Sequence, residues 1–351
     1  MRLLLLLIMS AALFWYACVD EIQLAPPDLP DSGMLVQGKM LYGYPAQITA
    51  EVFELYTLSS NLPRPIGGAK VTLEDNQNRS IPLLSSATGF YFLTLNPDHP
   101  DFPLLEGNSY RLKVELPNGR AYQSAWETLL PAIRPDSLSV QFALQEYTDG
   151  RGELRTDTFA RFGIHTPLQA TGQAPFFRWE LEQGYKLTDD EGKTCYVVRD
   201  FLSDNVFALN SATVGVGRLD NYFLTDTRVD YRFAEGFYMI AYQQRISGDA
   251  FGYFEELKQL LSKKGTLFDP PVGAIRSNIT GLNEPEELTY GFFYVARQDT
   301  LRLYVSPEAV NYPKPYCPLP PINGSAPNPN ACDDCLLELG AVTFKPDWWE
   351  F

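Results

Sequence analysis

The feature that most constrains this chain is a succession of short segments in which apolar and polar residues alternate, separated by glycine and proline. The clearest segment carries Tyr110, Leu112, Val114 and Leu116 and ends at a Pro-Asn-Gly turn. Alternation with a period of two is typical of a half-buried β-strand. Because 27 prolines and 25 glycines supply frequent turns, the sequence predicts a mostly β protein.

Residues 34–145 are predicted to form a small β-sandwich of the immunoglobulin or transthyretin type. Its strand candidates lie at residues 35–41, 48–55, 68–73, 88–93 and 110–116 and at Tyr122. The order Val-x-Gly, Gly-Ala-x-Val-x-Leu, Gly-x-Tyr, Tyr-x-Leu-x-Val resembles the carboxypeptidase-regulatory-like domain, an immunoglobulin-like sandwich. The resemblance implies a scaffold without catalysis.

Residues 146–351 are predicted to form a larger β-rich domain with one amphipathic helix near residues 248–264. Two domains are expected because a single core rarely grows beyond about 250–300 residues. Ser247 suits the N-cap position of the helix and Gly265 suits its end. The apolar residues between them recur at helical spacing; they are Ala250, Phe251, Phe254, Leu257 and Leu261.

The N-terminus determines the expected compartment. Residues 1–17 combine Arg2 with an apolar run of secretory-signal length. The small Ala17 precedes Cys18, so we expect signal cleavage and lipidation of Cys18; the alternative is an ordinary signal peptide. Residues 18–33 then read as an acidic and proline-rich tether. The protein is therefore expected to be lipid-anchored.

Four further cysteines, Cys195, Cys317, Cys332 and Cys335, remain after Cys18. An even number in an exported protein favours two disulfides, one of which must join Cys195 to the proline-rich C-terminal segment. The sequence leaves three pairings open. A zinc site with four cysteine ligands is the alternative, since two of the cysteines form a Cys-x-x-Cys motif.

No catalytic or nucleic-acid-binding motif stands out. The net charge of −15 and the absence of a basic stripe argue against nucleic acid as a partner. His165 could serve a serine nucleophile, but no Gly-x-Ser-x-Gly or His-Glu-x-x-His motif accompanies it. Residues 189–192 read as a solvated turn rather than a calcium loop. No catalytic residue, metal or cofactor is expected.

Several motifs of the C-terminal half resemble one family. They are Tyr242-Gln-Gln-Arg-Ile-Ser247, Gly265-Thr-Leu-Phe-Asp-Pro270, Asn278-Ile279, Tyr290-Gly-Phe-Phe293 and an ending with Cys332-x-x-Cys335 and Lys345-Pro-Asp-Trp-Trp349. The ending is the most specific part. The resemblance is to Bacteroidota lipoproteins described as domain of unknown function 4249, and it covers nearly the whole chain after Cys18.

The resemblance implies a setting in the outer membrane, beside TonB-dependent β-barrel transporters. In lipoproteins of this kind, acidic residues after the lipidated cysteine mark export to the cell surface, and Asp20 and Glu21 match that signal. We therefore expect a surface-exposed, non-catalytic accessory partner of such a transporter. The alternative is a lipoprotein that captures a glycan or a peptide for uptake.

Overall fold

The computed structural model describes eight stretches of the chain, and they exclude Cys18, Asp20, Glu21 and most of the predicted tether. The described residues are 32–56, 63–168, 174–201, 207–214, 217–262, 275–284, 287–317 and 330–350.

Alternating segments form the strands of three sheets, and the protein is mostly β. In chain order the strands of the described residues are β1 (Ser32–Tyr42), β2 (Ala46–Tyr56), β3 (Arg64–Pro65), β4 (Lys70–Asp75), β5 (Ser80–Pro82), β6 (Leu84–Ala87), β7 (Phe90–Leu95), β8 (Ser109–Glu115), β9 (Ala121–Ser124), β10 (Glu127–Thr128), β11 (Ser137–Thr148), β12 (Leu154–Pro167), β13 (Phe176–Thr188), β14 (Thr194–Asp200), β15 (Phe207–Asn210), β16 (Arg218–Arg228), β17 (Phe237–Ile246), β18 (Ile279–Gly281), β19 (Thr289–Tyr290), β20 (Phe293–Val305) and β21 (Ala341–Val342).

The N-terminal sandwich packs a six-stranded sheet against one end of a twelve-stranded sheet. The first has the order β18-β9-β8-β4-β5, with β10 beside β8, and the second has the order β21-β14-β13-β17-β20-β1-β2-β7-β6, with β15, β19 and β3 attached. Tyr110, Leu112 and Val114 are buried between the two sheets, as their alternation predicts. The predicted mostly β fold and the N-terminal sandwich are confirmed.

Two strands cross the expected domain boundary between residues 145 and 146, one in sequence and one by its pairing. Strand β11 crosses that boundary and pairs with β12 in a three-stranded sheet of order β11-β12-β16. In the other direction, β20 returns to pair in parallel with β1, and its Phe293 and Val295 join the N-terminal core. Alternation shows which face of a strand is buried but not which strand lies beside it, so the sequence could not reveal this return.

The second core lies between the three-stranded sheet and the other end of the large sheet. Phe162 of β12, Trp179 of β13 and Phe237 of β17 are buried there. Strand β17 is buried on both faces, since Tyr238 and Ile240 point away from this core and pack with Trp349 in another cluster. The outer face of the large sheet is therefore also covered in part.

Helix α1 (Gly248–Ser262) covers one region of that outer face. The Ser247 hydroxyl accepts the backbone N–H of Ala250 at 3.1 Å, so Ser247 is the N-cap that the sequence predicts. Ala250, Tyr253 and Phe254 are buried against the sheet. A second helix, α2 (Asn330–Asp333), has four residues. In the described part of the chain, no helix is long and apolar enough to cross a membrane.

The C-terminal segment covers a further region of the outer face. Strand β21 pairs with β14, and Trp349 is buried beside Tyr238 with ring centroids 4.7 Å apart. The Arg302 guanidinium lies over the Trp348 ring, 4.8 Å from its centroid. The tryptophan pair therefore docks the end of the chain onto β17 and β20.

Candidate functional site

A cleft of about 660 Å³ opens on the outer face of the large sheet. Its floor comes from β13, in which Phe177, Trp179 and Leu181 point into the second core while the residues between them face the other way. Those residues, Arg178 and Glu180, line the cleft. The further lining includes Lys39 and Thr49 from β1 and β2, Tyr242 from β17, Phe254 and Leu257 from α1, and Phe201 and Phe207.

One end of the cleft is built around the carboxylate of Glu180. Lys39 Nζ lies 3.1 Å from Glu180 Oε1, and Arg178 Nη1 donates to the same oxygen at 2.6 Å. Gln244 Nε2 donates to the other oxygen at 3.2 Å. Burial would raise the pKa of Glu180, but the positive charges of Arg178 and Lys39 outweigh it and hold that pKa below its usual value. Two cations therefore share one ionised carboxylate.

The guanidinium of Arg178 is held on several sides. Its Nη1 also donates to Gln244 Oε1 at 3.1 Å and to the Tyr294 hydroxyl at 3.0 Å. The Phe254 ring lies 4.3 Å from the guanidinium carbon, within cation–π range. This end of the cleft is therefore fixed in position before any ligand arrives.

The other end of the cleft carries the opposite charge. Glu182 follows Glu180 by two positions on the same face of β13 and accepts the Tyr242 hydroxyl at 2.6 Å. Its direct neighbour across to β14 is Asp200, which is exposed. Within the described ranges no basic side chain forms an ion pair with either carboxylate. Like charges opposite each other on paired strands destabilise a sheet, so this end favours a cation.

A serine, a histidine and an aspartate meet on the outer side of the three-stranded sheet. His165 Nε2 lies 3.2 Å from Ser139 Oγ, and its Nδ1 lies 3.5 Å from Asp220 Oδ1. The Asn221 N–H donates to Nδ1 at 3.2 Å, which assigns the ring proton to Nε2, and Ser139 donates to Asn221 Oδ1 at 2.6 Å. A catalytic histidine needs the opposite tautomer. The register of β12 against β16 shifts between Ile164 and Thr166, and these hydrogen bonds join the two strands at that shift instead of activating Ser139.

The hairpin of β11 and β12 extends beyond the second core. Ala160 is buried there, whereas Phe142, its partner on β11, is 39% exposed. Farther along the same face, Leu144 is 75% exposed and Leu154 is 68% exposed. Asp149 accepts the backbone N–H groups of the turn that joins the strands. At its far end the core-facing side of the hairpin therefore presents apolar side chains among polar ones, and the described residues leave them exposed.

The four C-terminal-domain cysteines form two disulfide bonds, Cys195–Cys335 and Cys317–Cys332. This confirms the disulfide prediction and its link from Cys195 to the C-terminal segment. A zinc site with four cysteine ligands is excluded because no thiolate remains. Among the described residues, Asp190 lies near the sulfurs of Cys317 and Cys332, and Asp189 and Asp334 lie near the sulfur of Cys335. Lys193 forms ion pairs with both Asp189 and Asp334.

The turn at residues 189–192 differs from its expected role. Asp189 is fully buried, not solvated. Its carboxylate accepts the N–H of Lys193 at 2.8 Å and the N–H of Cys335 at 3.3 Å. Burial opposes ionisation of Asp189, but these two hydrogen bonds prevail and lower its pKa. The turn therefore holds the C-terminal segment in place.

A comparison with known protein families shows which family this chain belongs to. The family described as "Domain of unknown function (DUF4249)" matches residues 21–302. The chain belongs to that family. Its DUF4249 region contains the whole cleft from Lys39 to Gln298 and the β11–β12 hairpin. The C-terminal cysteine and tryptophan ending, the most specific part of the resemblance, lies outside the matched residues.

Other comparisons add no functional information for this DUF4249 protein. No curated protein matches the chain. A crystal structure titled as a tetra-tandem repeat in the extending region of a large adhesion protein is 11% identical, with 60% of this chain and 70% of that chain covered. Its TM-score of 0.19 is too low to support any argument.

The cleft residues of this DUF4249 protein were not singled out from the sequence. The signal was present, because Arg178, Glu180 and Glu182 alternate with core residues along β13. Such a charged face ordinarily meets water on an exposed sheet. Only the structure shows that α1 and Lys39 enclose it. Of the predicted site residues, the structure brings the four cysteines together in pairs, while Cys18, Asp20 and Glu21 lie outside the described residues.

Proposed function

We propose that this protein is a lipid-anchored lipoprotein of a Bacteroidota outer membrane that acts by contact with a β-barrel transporter of the TonB-dependent kind, without catalysis. The anchor would be Cys18, and Asp20 and Glu21 would direct the protein to the cell surface. The N-terminal sandwich would be of the carboxypeptidase-regulatory-like kind. The apolar signal run and the resemblance to surface lipoproteins support this setting.

The observation that carries the proposal is the uncovered face of the β11–β12 hairpin. Beyond Phe159, which pairs with Arg228 at the end of β16, no third strand of the described residues joins the hairpin. Two-stranded ribbons are marginal in water without further packing. On this face Phe142 and Leu144 are exposed neighbours, and Leu154 is exposed farther along, beyond the Glu146–Thr156 pair. A ribbon that presents these apolar side chains to solvent is suited to contact with a partner, since exposed apolar groups of this kind mark interaction sites.

Affinity purification from native membranes tests this proposal. The tagged wild type is expected to recover an outer-membrane β-barrel protein, identified by mass spectrometry. The double variant Leu144→Asp/Leu154→Asp is expected to lose at least nine-tenths of it. Leu339→Asp is the matched control, because Leu339 is also exposed, at 79%, but lies in the C-terminal segment. Equal recovery with both variants, or no barrel with the wild type, would contradict the proposal.

A second candidate function is the capture of a glycan or a peptide for uptake. The cleft favours it, because polar side chains converge there from several strands and aromatic residues border them. A volume of about 660 Å³ falls within the usual range for small-molecule sites. In this case the hairpin would hold the lipoprotein on its transporter while the cleft received the ligand.

A further inference from the structure

The two ends of the cleft differ in charge, and we propose that the cleft binds a short peptide by its free termini. The carboxylate terminus would lie at Lys39 and Arg178, and the ammonium terminus at Glu182 and Asp200. The proposal rests on the second candidate function, which it narrows to one class of ligand. It does not depend on the contact made by the hairpin.

The positive end has capacity for one more anion. Among the described residues, Glu180 is the acid that forms ion pairs with both Lys39 and Arg178, and the exposed Glu51 lines the neighbouring cavity without an ion pair to either cation. All three hydrogen bonds of Arg178 leave from Nη1, so its Nη2 has no hydrogen-bond partner among the described residues. Guanidinium and ammonium groups together suit a carboxylate, which accepts several charge-assisted hydrogen bonds.

Neither carboxylate of the negative end has an ion-pair partner among the described residues. Glu182 and Asp200 face each other across β13 and β14, and no basic group of the described residues lies between them. An ammonium group has three donors and no acceptor, so it can satisfy two carboxylates at once. A neutral sugar would form no ion pair with either end of the cleft.

The separation of the two ends sets the length of the peptide. Arg178 and Glu182 are four residues apart on one strand, which corresponds to about 13 Å. Three to four extended residues span roughly 10–14 Å. Phe201, Phe207 and Leu257 also line the cleft and would contact the side chains of the peptide. A second cavity of about 190 Å³ adjoins Lys39 and Arg178, with room for the side chain of the last residue.

Titration calorimetry with alanine peptides tests the assignment of both ends. Tri-alanine and tetra-alanine with free termini are expected to bind the full-length protein, whereas N-acetylated or C-amidated forms lose at least tenfold in affinity. Asp200→Asn should weaken binding of the free peptide and leave binding of the N-acetylated form unchanged. Lys39→Gln should weaken binding of the free peptide and leave binding of the C-amidated form unchanged. Lys70→Gln, an exposed lysine of the six-stranded sheet, is the control.

Each outcome decides the proposal. Asp200 is exposed, so its variant is expected to fold normally, which a melting curve checks independently of binding. Equal affinities for free and blocked peptides would overturn the assignment of the termini. Binding of neutral maltotriose without binding of the peptides would overturn the peptide inference but retain the capture function. Binding of neither class at millimolar concentration would overturn both.

Discussion

Glu127 lies in β10 and is 4% exposed. Its Oε2 atom has no hydrogen-bond partner among the described residues. Burial raises the pKa of Glu127 from 4.5 to about 7, the Ser247 hydroxyl lowers it in part, and the charge of Asp249 raises it further. The folded protein therefore holds this carboxyl neutral at a pH where the unfolded chain ionises it.

A pH-dependent loss of stability is expected from Glu127. Below pH 4.5 the carboxyl of Glu127 is protonated in both the folded and the unfolded protein, so it does not affect stability. Between about pH 4.5 and 7 the carboxyl ionises in the unfolded protein first, so the free energy of unfolding falls as the pH rises. Above pH 7 the free energy of unfolding is lower by roughly 3 kcal/mol, since each unit between the two pKa values corresponds to about 1.4 kcal/mol. Glu127→Gln should therefore gain stability over the wild type as pH rises, measured by urea unfolding at pH 4.5 and 8. A constant difference between the two proteins would refute this explanation.

Among the elements, the C-terminal segment depends most on covalent bonds. Cys195–Cys335 joins residues 140 positions apart, and Cys317–Cys332 joins residues 15 apart. Loop-closure entropy assigns about 5 kcal/mol to the first bond and about 3 kcal/mol to the second. Strand β21 and the tryptophan pair also hold the segment, but two residues of pairing give little independent stability.

Removal of the long-range disulfide should release the C-terminal segment before the cores unfold. Cys195→Ala/Cys335→Ala is expected to lower the free energy of unfolding by about 5 kcal/mol and Cys317→Ala/Cys332→Ala by about 3 kcal/mol. Chymotrypsin digestion followed by mass spectrometry should detect early cleavage after Trp349, which is buried in the wild type, in the first variant. A protected C-terminus in that variant would show that non-covalent contacts suffice.

The strands and the helix were predictable because local patterns determine them. Alternation marked β1, β4 and β8, and an N-cap with helical spacing marked α1. The parallel pairing of β20 with β1 was not predictable, since it joins residues more than 250 positions apart. The cleft depends on that pairing, because β20 lies between Lys39 on β1 and the β17–β13 pair that presents Glu180. The cysteines were predictable as pairs, but the choice of partners depends on the fold.

The whole molecule carries a net charge of −15. Such a chain is repelled by an anionic membrane surface. Two lipid chains on a terminal cysteine bind a membrane far more firmly than surface contacts would. Membrane association is therefore expected to depend on Cys18 and not on the folded domains.

Cys18→Ala is expected to release the protein from the membrane fraction and to abolish fatty-acid labelling, because lipidation requires the thiol. Replacement of Asp20 and Glu21 by alanine should leave the labelling intact but protect the protein from protease added to intact cells. Lysed cells provide the control for protease access. Fatty-acid labelling of the alanine variant at position 18 would contradict the proposed anchor.

The most direct test of the proposed partner contact is site-specific photo-cross-linking in living cells. A photoreactive amino acid at position 144, on the uncovered face of the hairpin, is expected to form one major adduct with an outer-membrane β-barrel transporter. The same amino acid at position 70, on the exposed side of the sandwich, serves as the comparison. Cross-links to the same barrel from both positions, or none from position 144 in correctly localised protein, would contradict the hairpin contact.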